Sequence, residues 1–195
     1  MALINIIVEG LLDEAMAIRL INESGHTFGT CHGKKGASYL QKKLAAFNES
    51  ADNIRYLAMV DFMDTRLACP GEVVTRWLPH RKPGMLFRVV VRELESWLLA
   101  DRANLPEFLR IDRAKIQKKP EELPDPKQTL VNLARSSRSR KIREALVPET
   151  GSTAAVGKLY NDELIRFIVQ QWSVEEACRH SISLTKCFQR LKSLD

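Results

Sequence analysis

Residues 4–15 read INIIVEGLLDEA, and the fold turns on how this stretch is read. Ile4–Val8 is an apolar run of the kind that forms a strand buried on both faces, and Glu9-Gly10 closes it with a tight turn. Leu11–Asn22 then carries Asp13 and Glu14 in the first turn of a helix, where the positive end of the helix dipole favours acids. The stretch is strand, turn, helix. The alternation recurs downstream. Thr27–Cys31 is a weaker strand candidate, followed by HGKKG and by Ala37–Phe47, with Leu40, Leu44 and Phe47 at helical spacing. Ile54–Phe62 (IRYLAMVDF) is a third strand, Glu72–Leu78 a short helix, and Met85–Val91 (MLFRVVV) a fourth strand running into RELESWLLAD. Apolar strands separated by helices predict a mostly parallel α/β sheet of about four strands over residues 1–100.

From Asp101 onward no β-like run occurs. Helical segments are expected at Leu105–Ile111, Lys127–Ala134, Ser139–Leu146, Asp162–Gln171, Val174–His180 and Leu184–Leu194, so that residues 101–195 form a helical part packed on the sheet. Three prolines in KKPEELPDP (Lys118–Pro126) mark a connector. The chain has 195 residues, 45% of them hydrophobic and 28% charged, which excludes disordered and fibrous classes. No apolar run is long enough for a bilayer span, and MALINIIV lacks the features of a signal peptide, so a soluble cytoplasmic protein with no membrane partner is expected. Cys31, Cys69, Cys178 and Cys187 are widely spread, the usage of reduced thiols. A net charge of +6 is compatible with a polyanionic partner.

In open α/β sheets the functional crevice lies at the carboxyl ends of the strands. Glu9 follows the first strand, Asp61 and Asp64 the third, and Glu93 and Glu95 the fourth. Carboxylates converging on one edge repel unless a cation sits among them. Oxygen donors without His or Cys favour Mg²⁺ or Mn²⁺, and such a site suits phosphoryl chemistry. Taken singly, each is equally an ordinary turn or helix-cap acid.

The run IIVEGLLDEA resembles the first motif of the TOPRIM domain shared by topoisomerases, bacterial primases and OLD-family nucleases, and Asp61 at the end of an apolar strand resembles its second. The combination of VEG, GKKG, VDF, RELESWLLAD, DPKQTL and LYNDELIRF resembles the TOPRIM-like family DUF4276 across nearly the whole chain. The resemblance implies a Rossmann-like TOPRIM fold, and Glu9 and Asp61 as Mg²⁺-binding catalytic residues of phosphodiester cleavage. It also implies a partner ATPase of the ABC class in a prokaryotic defence-type system. The chain departs from the pattern at Met63, where TOPRIM places a second aspartate, and Asp64 lies one position further. Either the backbone turns after Phe62 to bring Asp64 round, or Glu93 or Glu95 supplies the oxygen; the latter pair is favoured for lying just past a neighbouring strand. In a helix that begins at Glu93 the two would point about 200° apart, and one alone could face the site.

GTCHGKKG is not a P-loop: three residues rather than four separate Gly29 from Gly33, and Lys35 replaces the metal-binding hydroxyl. Lys34 and Lys35, bracketed by glycines before a helix, are phosphate-contact candidates or a solvated turn. In ARSSRSRKIR, Arg135, Arg138, Arg140, Lys141 and Arg143 make the densest cation run, a nucleic-acid surface with Arg138, Arg140 and Lys141 as contacts, or simply a solvated face. Leu94, Trp97 and Leu98 fall on a buried helical stripe. Tyr160 and Asn161 could approach the site, but helix entry and core packing are the roles expected of them. Cys178, His180 and Cys187, and likewise His26, Cys31 and His32, lack zinc-site spacing. No serine elbow is present, and Tyr56 lies inside a strand, away from any covalent role. The expected function is Mg²⁺-dependent cleavage of DNA or RNA; the alternative is a non-catalytic TOPRIM-like subunit that docks an ATPase or nucleic acid through its basic surface.

Overall fold

The computed structural model describes residues 1–194. The chain divides into two compact units, one formed by Met1–Val91 with the chain from Ser183 onward, the other by Arg92–Ile182. The first unit is an α/β sheet of four parallel strands, β1 (Leu3–Val8), β2 (Thr27–Gly33), β3 (Arg55–Asp61) and β4 (Met85–Val90), in the order β2-β1-β3-β4. After β1 the chain passes through α1 (Leu11–Glu23) to β2, then crosses back through α2 (Ala37–Glu49) to β3 on the other side of β1. The direction of winding therefore reverses between β1 and β3, and in sheets of this type the crevice opens outside the carboxyl ends at that reversal.

Helices cover both faces. Tyr56, Ala58, Val60, Met85 and Phe87 meet Leu40 and Leu44 of α2 and Val73 of α3 (Pro70–Trp77) on one side. The alternate residues Leu57, Met59, Leu86 and Val90 are buried as well, so the strands read as continuous apolar runs. The polar Asn5 is tolerated inside β1 because the register with β2 shifts between Ile4 and Ile6, and its side-chain oxygen accepts the Thr30 N–H at 2.8 Å. β2 runs two residues further than its apolar content suggests, through His32 and Gly33, since parallel pairing to Ile7 and Val8 carries it on.

The second unit is helical: α4 (Glu95–Ala100), α5 (Asn104–Leu109), α6 (Pro126–Arg135), α7 (Arg140–Leu146), α8 (Tyr160–Gln170) and α9 (Val174–Cys178). Every residue of α4 is buried, and it packs on α6 and α9. RELESWLLAD thus belongs with the helices that follow it rather than with the strand before it. Trp97 is fully buried, as its spacing predicts, and its carbonyl accepts the Trp172 indole N–H at 3.1 Å. Phe108 stacks on Phe167. KKPEELPDP holds only a short 3₁₀ turn, Pro120–Glu122, before Pro126 opens α6, with Asp125 capping it through the Gln128 N–H.

The last helix, α10 (Ile182–Lys192), returns the chain to the first unit. His26 ties it there, its Nε2–H donating to Leu191 O at 2.8 Å while Nδ1 accepts from Ala2 N at 3.0 Å. No helix among the described residues is long and apolar enough to cross a membrane.

Candidate functional site

At the winding reversal, Glu9 stands one residue beyond β1 and Asp61 ends β3. Glu9 Oε1 accepts the backbone N–H of Asp61 at 2.7 Å, so the side chain from one central strand clips the end of the other. Beyond Asp61 the chain makes a 3₁₀ turn, Phe62–Thr65, held by the Thr65 hydroxyl donating to Phe62 O and released by Arg66 in the left-handed region. That turn sets Asp64, itself exposed, near enough for its charge to act on Glu9. A backbone turn after Phe62, one of the two routes considered for Asp64, is present.

Asp13 is the further member of this group. Its Oδ2 accepts the Gly10 N–H at 3.0 Å, completing half of a capping box, and its charge also acts on Glu9. Burial, chiefly, with Asp13 and Asp64 adding to it, raises the Glu9 carboxyl to about 7, against the lowering effect of the Asp61 N–H. The sequence showed Asp13 only as a first-turn acid; its place three residues after Gly10, where a capping-box acid sits, was the available sign.

Lys34 and Lys35 lie where the second strand turns toward this edge. Gly33 takes φ +100° and Lys34 φ +58°, and the Lys34 N–H donates to Val8 O at 2.8 Å. The Lys34 ammonium contacts both Glu14 oxygens, at 3.2 and 3.1 Å, and Lys35 rests over the Tyr39 ring. Lys34 is therefore occupied by an intramolecular partner. The half-buried Cys31 thiol is pushed up to about 12, by burial first and then by Glu14, which favours the protonated thiol at neutral pH.

Glu93 and Glu95 belong to the second unit and form a cluster of their own. The helix starts at Glu95 rather than Glu93, so the two carboxylates do not diverge by the helical period. Both turn to Lys127, whose ammonium is 3.5 Å from Glu93 and 3.8 Å from Glu95; its backbone N–H also donates to Glu93 at 3.2 Å. Glu95 is 2% exposed and accepts the buried Tyr160 hydroxyl at 2.9 Å. Burial holds Glu95 above the ordinary carboxylate range, with Lys127 pulling the other way. Replacing Tyr160 by Phe removes a donor from a carboxyl that no water can reach, so a loss of about 1–3 kcal/mol in unfolding free energy is expected, read as a lower urea midpoint at constant slope. An unchanged midpoint would show that this bond carries no stability.

The basic run separates into two kinds of cation. Arg140 pairs with Glu144 at 2.7 Å, Lys141 with Glu163 at 3.4 Å, and Arg143 donates to Ser137 O. Arg138 is exposed and has no carboxylate partner among the described residues.

Among the described residues no group of three His, Cys, Asp or Glu side chains has the spacing of a coordination shell. The side chains near Glu9, those of Asp13 and Asp64, offer oxygen donors only, the donor type that hard divalent cations take. Compared with protein-family models, with curated proteins and with solved structures, the chain finds no match.

Proposed function

We propose that the protein is a TOPRIM-like, metal-dependent nuclease whose acidic centre is Glu9, Asp61 and Asp64. The observation that carries this reading is the 2.7 Å bond from the Asp61 N–H to Glu9 Oε1, which fixes two acidic strand ends together at the winding reversal of a parallel sheet. The resemblance of VEG and VDF to TOPRIM motifs, and the turn that brings Asp64 to Glu9, support it.

In this reading Glu9, Asp61 and Asp64 hold Mg²⁺ or Mn²⁺, which when bound polarises a phosphodiester and makes water a better nucleophile at neutral pH. The chain's own contribution is preorganisation: the Asp61 N–H orients the Glu9 carboxyl, and the 3₁₀ turn presents Asp64 beside it. Glu93 and Glu95, favoured as metal ligands from sequence, both face Lys127, and Glu95 also accepts the Tyr160 hydroxyl; the proposed chemistry does not depend on them. A partner ATPase rests on the family resemblance alone.

The test is to incubate the purified chain with labelled single- and double-stranded DNA and RNA in Mn²⁺ or in EDTA, while following its thermal transition against metal concentration. Cleavage in Mn²⁺ that EDTA abolishes, with a metal-dependent rise in Tm, is the expected result. Absence of both, with nucleic acid still bound, would replace this reading with that of a non-catalytic docking subunit.

A further inference from the structure

Within the helical unit, α5, the connection after it and the segment between α6 and α7 enclose an open groove of about 880 Å³, lined by Arg110, Arg113, Arg138, Ser139, Glu107 and Pro106 among others. The three arginines come from separate positions: Arg110 ends α5, Arg113 opens a short 3₁₀ turn, and Arg138 precedes the cap of α7. All three are exposed, and none has a carboxylate partner among the described residues. This sets them apart from Arg140 and Lys141, whose charges meet Glu144 and Glu163. Glu107 is the one acid lining the groove, so the lining is cationic by two charges.

The geometry is built rather than incidental. Arg110 O accepts the Arg138 N–H at 3.1 Å, which binds the two segments together at the backbone. Arg110 itself stands at φ +55°, the left-handed position after a helix that glycine or asparagine ordinarily fills. Small-molecule pockets are enclosed and mostly apolar or aromatic, whereas this groove is open and carries planar guanidiniums. Guanidinium groups match phosphate oxygens in bidentate fashion, and a series of them along an open groove suits a polymer of phosphates.

We propose that this groove, centred on Arg110, Arg113 and Arg138, seats the phosphate backbone of a nucleic acid. The proposal rests on the nucleic-acid part of the reading above and deepens it by naming the binding surface. Arg110 and Arg113 lie outside the densest cation run, and the chain folds them toward Arg138.

The experiment measures anisotropy of a labelled 20-mer, single-stranded and duplex, bound by the full chain in EDTA across a range of KCl. The test protein carries Arg110→Gly, Arg113→Ala and Arg138→Ala. Glycine relieves the left-handed backbone at 110, and all three side chains are exposed, so the fold is retained. Three lost phosphate contacts should lower affinity about 10²-fold near 0.1 M salt and reduce the magnitude of the log–log salt slope by about two to three. Arg140→Ala with Lys141→Ala should leave both quantities within about twofold of the parent, since those cations are already paired. A triple variant that keeps its slope overturns the proposal, as does a paired-cation control that loses as much. Pyrophosphate bound by a chain that ignores both oligonucleotides would also overturn it, in favour of a small phosphate ligand. Because EDTA removes cleavage, failure here is separate from failure of the nuclease reading: Mn²⁺-dependent cleavage with an unchanged slope leaves that reading and removes the groove.

Discussion

Glu9→Gln is expected to lower Mn²⁺-dependent cleavage by about 10³-fold or more while making the metal-free protein more stable at pH 8. The two effects share one cause. The substitution keeps the side-chain oxygen that accepts the Asp61 N–H, and it removes the charge that burial, Asp13 and Asp64 oppose. In the folded chain Glu9 holds its proton to about pH 7, whereas an unfolded carboxyl releases it near the ordinary value of 4.5. Between those values the folded state binds the extra proton, so stability falls as pH climbs through the window and the loss is complete above about 7. Glutamine carries no such charge. At pH 8 the variant should gain about 1–2 kcal/mol, a figure held down by solvent screening at a partly open group, and at pH 4 the two proteins should coincide. For a chain of this size the gain appears as a rise of roughly 2–8 °C in Tm. Under the proposed function, the loss of cleavage follows from removing a ligand charge at a site where a bound metal would supply several kcal/mol of transition-state stabilisation. Equal thermal curves at pH 8 would show that the charge is not held under strain; wild-type cleavage would remove Glu9 from the chemistry.

Gly33→Ala should destabilise the sheet unit by about 3 kcal/mol or more, and Gly36→Ala by about 1 kcal/mol, although the two glycines flank the same pair of lysines. Both have positive φ, +100° and +76°. A methyl at Gly36 meets open space, leaving only the backbone preference to be overcome. At Gly33 the methyl lands on Val8 O, well inside contact distance, and Val8 O is the acceptor for the Lys34 N–H. Relief requires β2 to move off β1 next to Glu9, so Gly33→Ala should also disturb the acidic centre. Urea midpoints and the metal-dependent Tm shift measure the two consequences. Equal midpoints for the two variants would show that the backbone gives way at no cost.

Much of the sheet was legible because burial on both faces leaves apolar runs with little ambiguity, as in IRYLAMVDF. Glu9 and Asp61 were legible for the same reason: an acid directly after such a run has to lie at a strand end. Asp64 was a candidate from sequence, but its placement was not legible, since neither strand nor helix period describes a 3₁₀ turn whose course depends on the Thr65 hydroxyl and on Arg66 adopting the left-handed region. The role of Lys34 was hidden by distance along the chain, because its partner Glu14 lies twenty residues earlier, in α1. The same holds for Glu95, whose companions Lys127 and Tyr160 come from α6 and α8. Nothing local distinguishes the apolar positions of α10 from those of the helices before it, so the return of the chain to the sheet unit left no mark in the periodicity.

That return has a consequence for synthesis. The ribosome delivers α10 only after every residue of the helical unit, so the sheet unit stays one helix short while the inserted stretch is made. Closing so long a loop costs entropy that grows with the logarithm of its length. Once folded, the inserted unit shortens that loop, because its own contacts join its beginning to its end: α4 packs on α9, and the Ser173 N–H donates to Asp101 at 2.7 Å. Once those bonds form, the sheet meets a short staple instead of a long free chain. The four strands are delivered before the inserted stretch, but the α10 that completes their unit is delivered after it, so completion of the sheet unit is expected to follow folding of the part inserted into it.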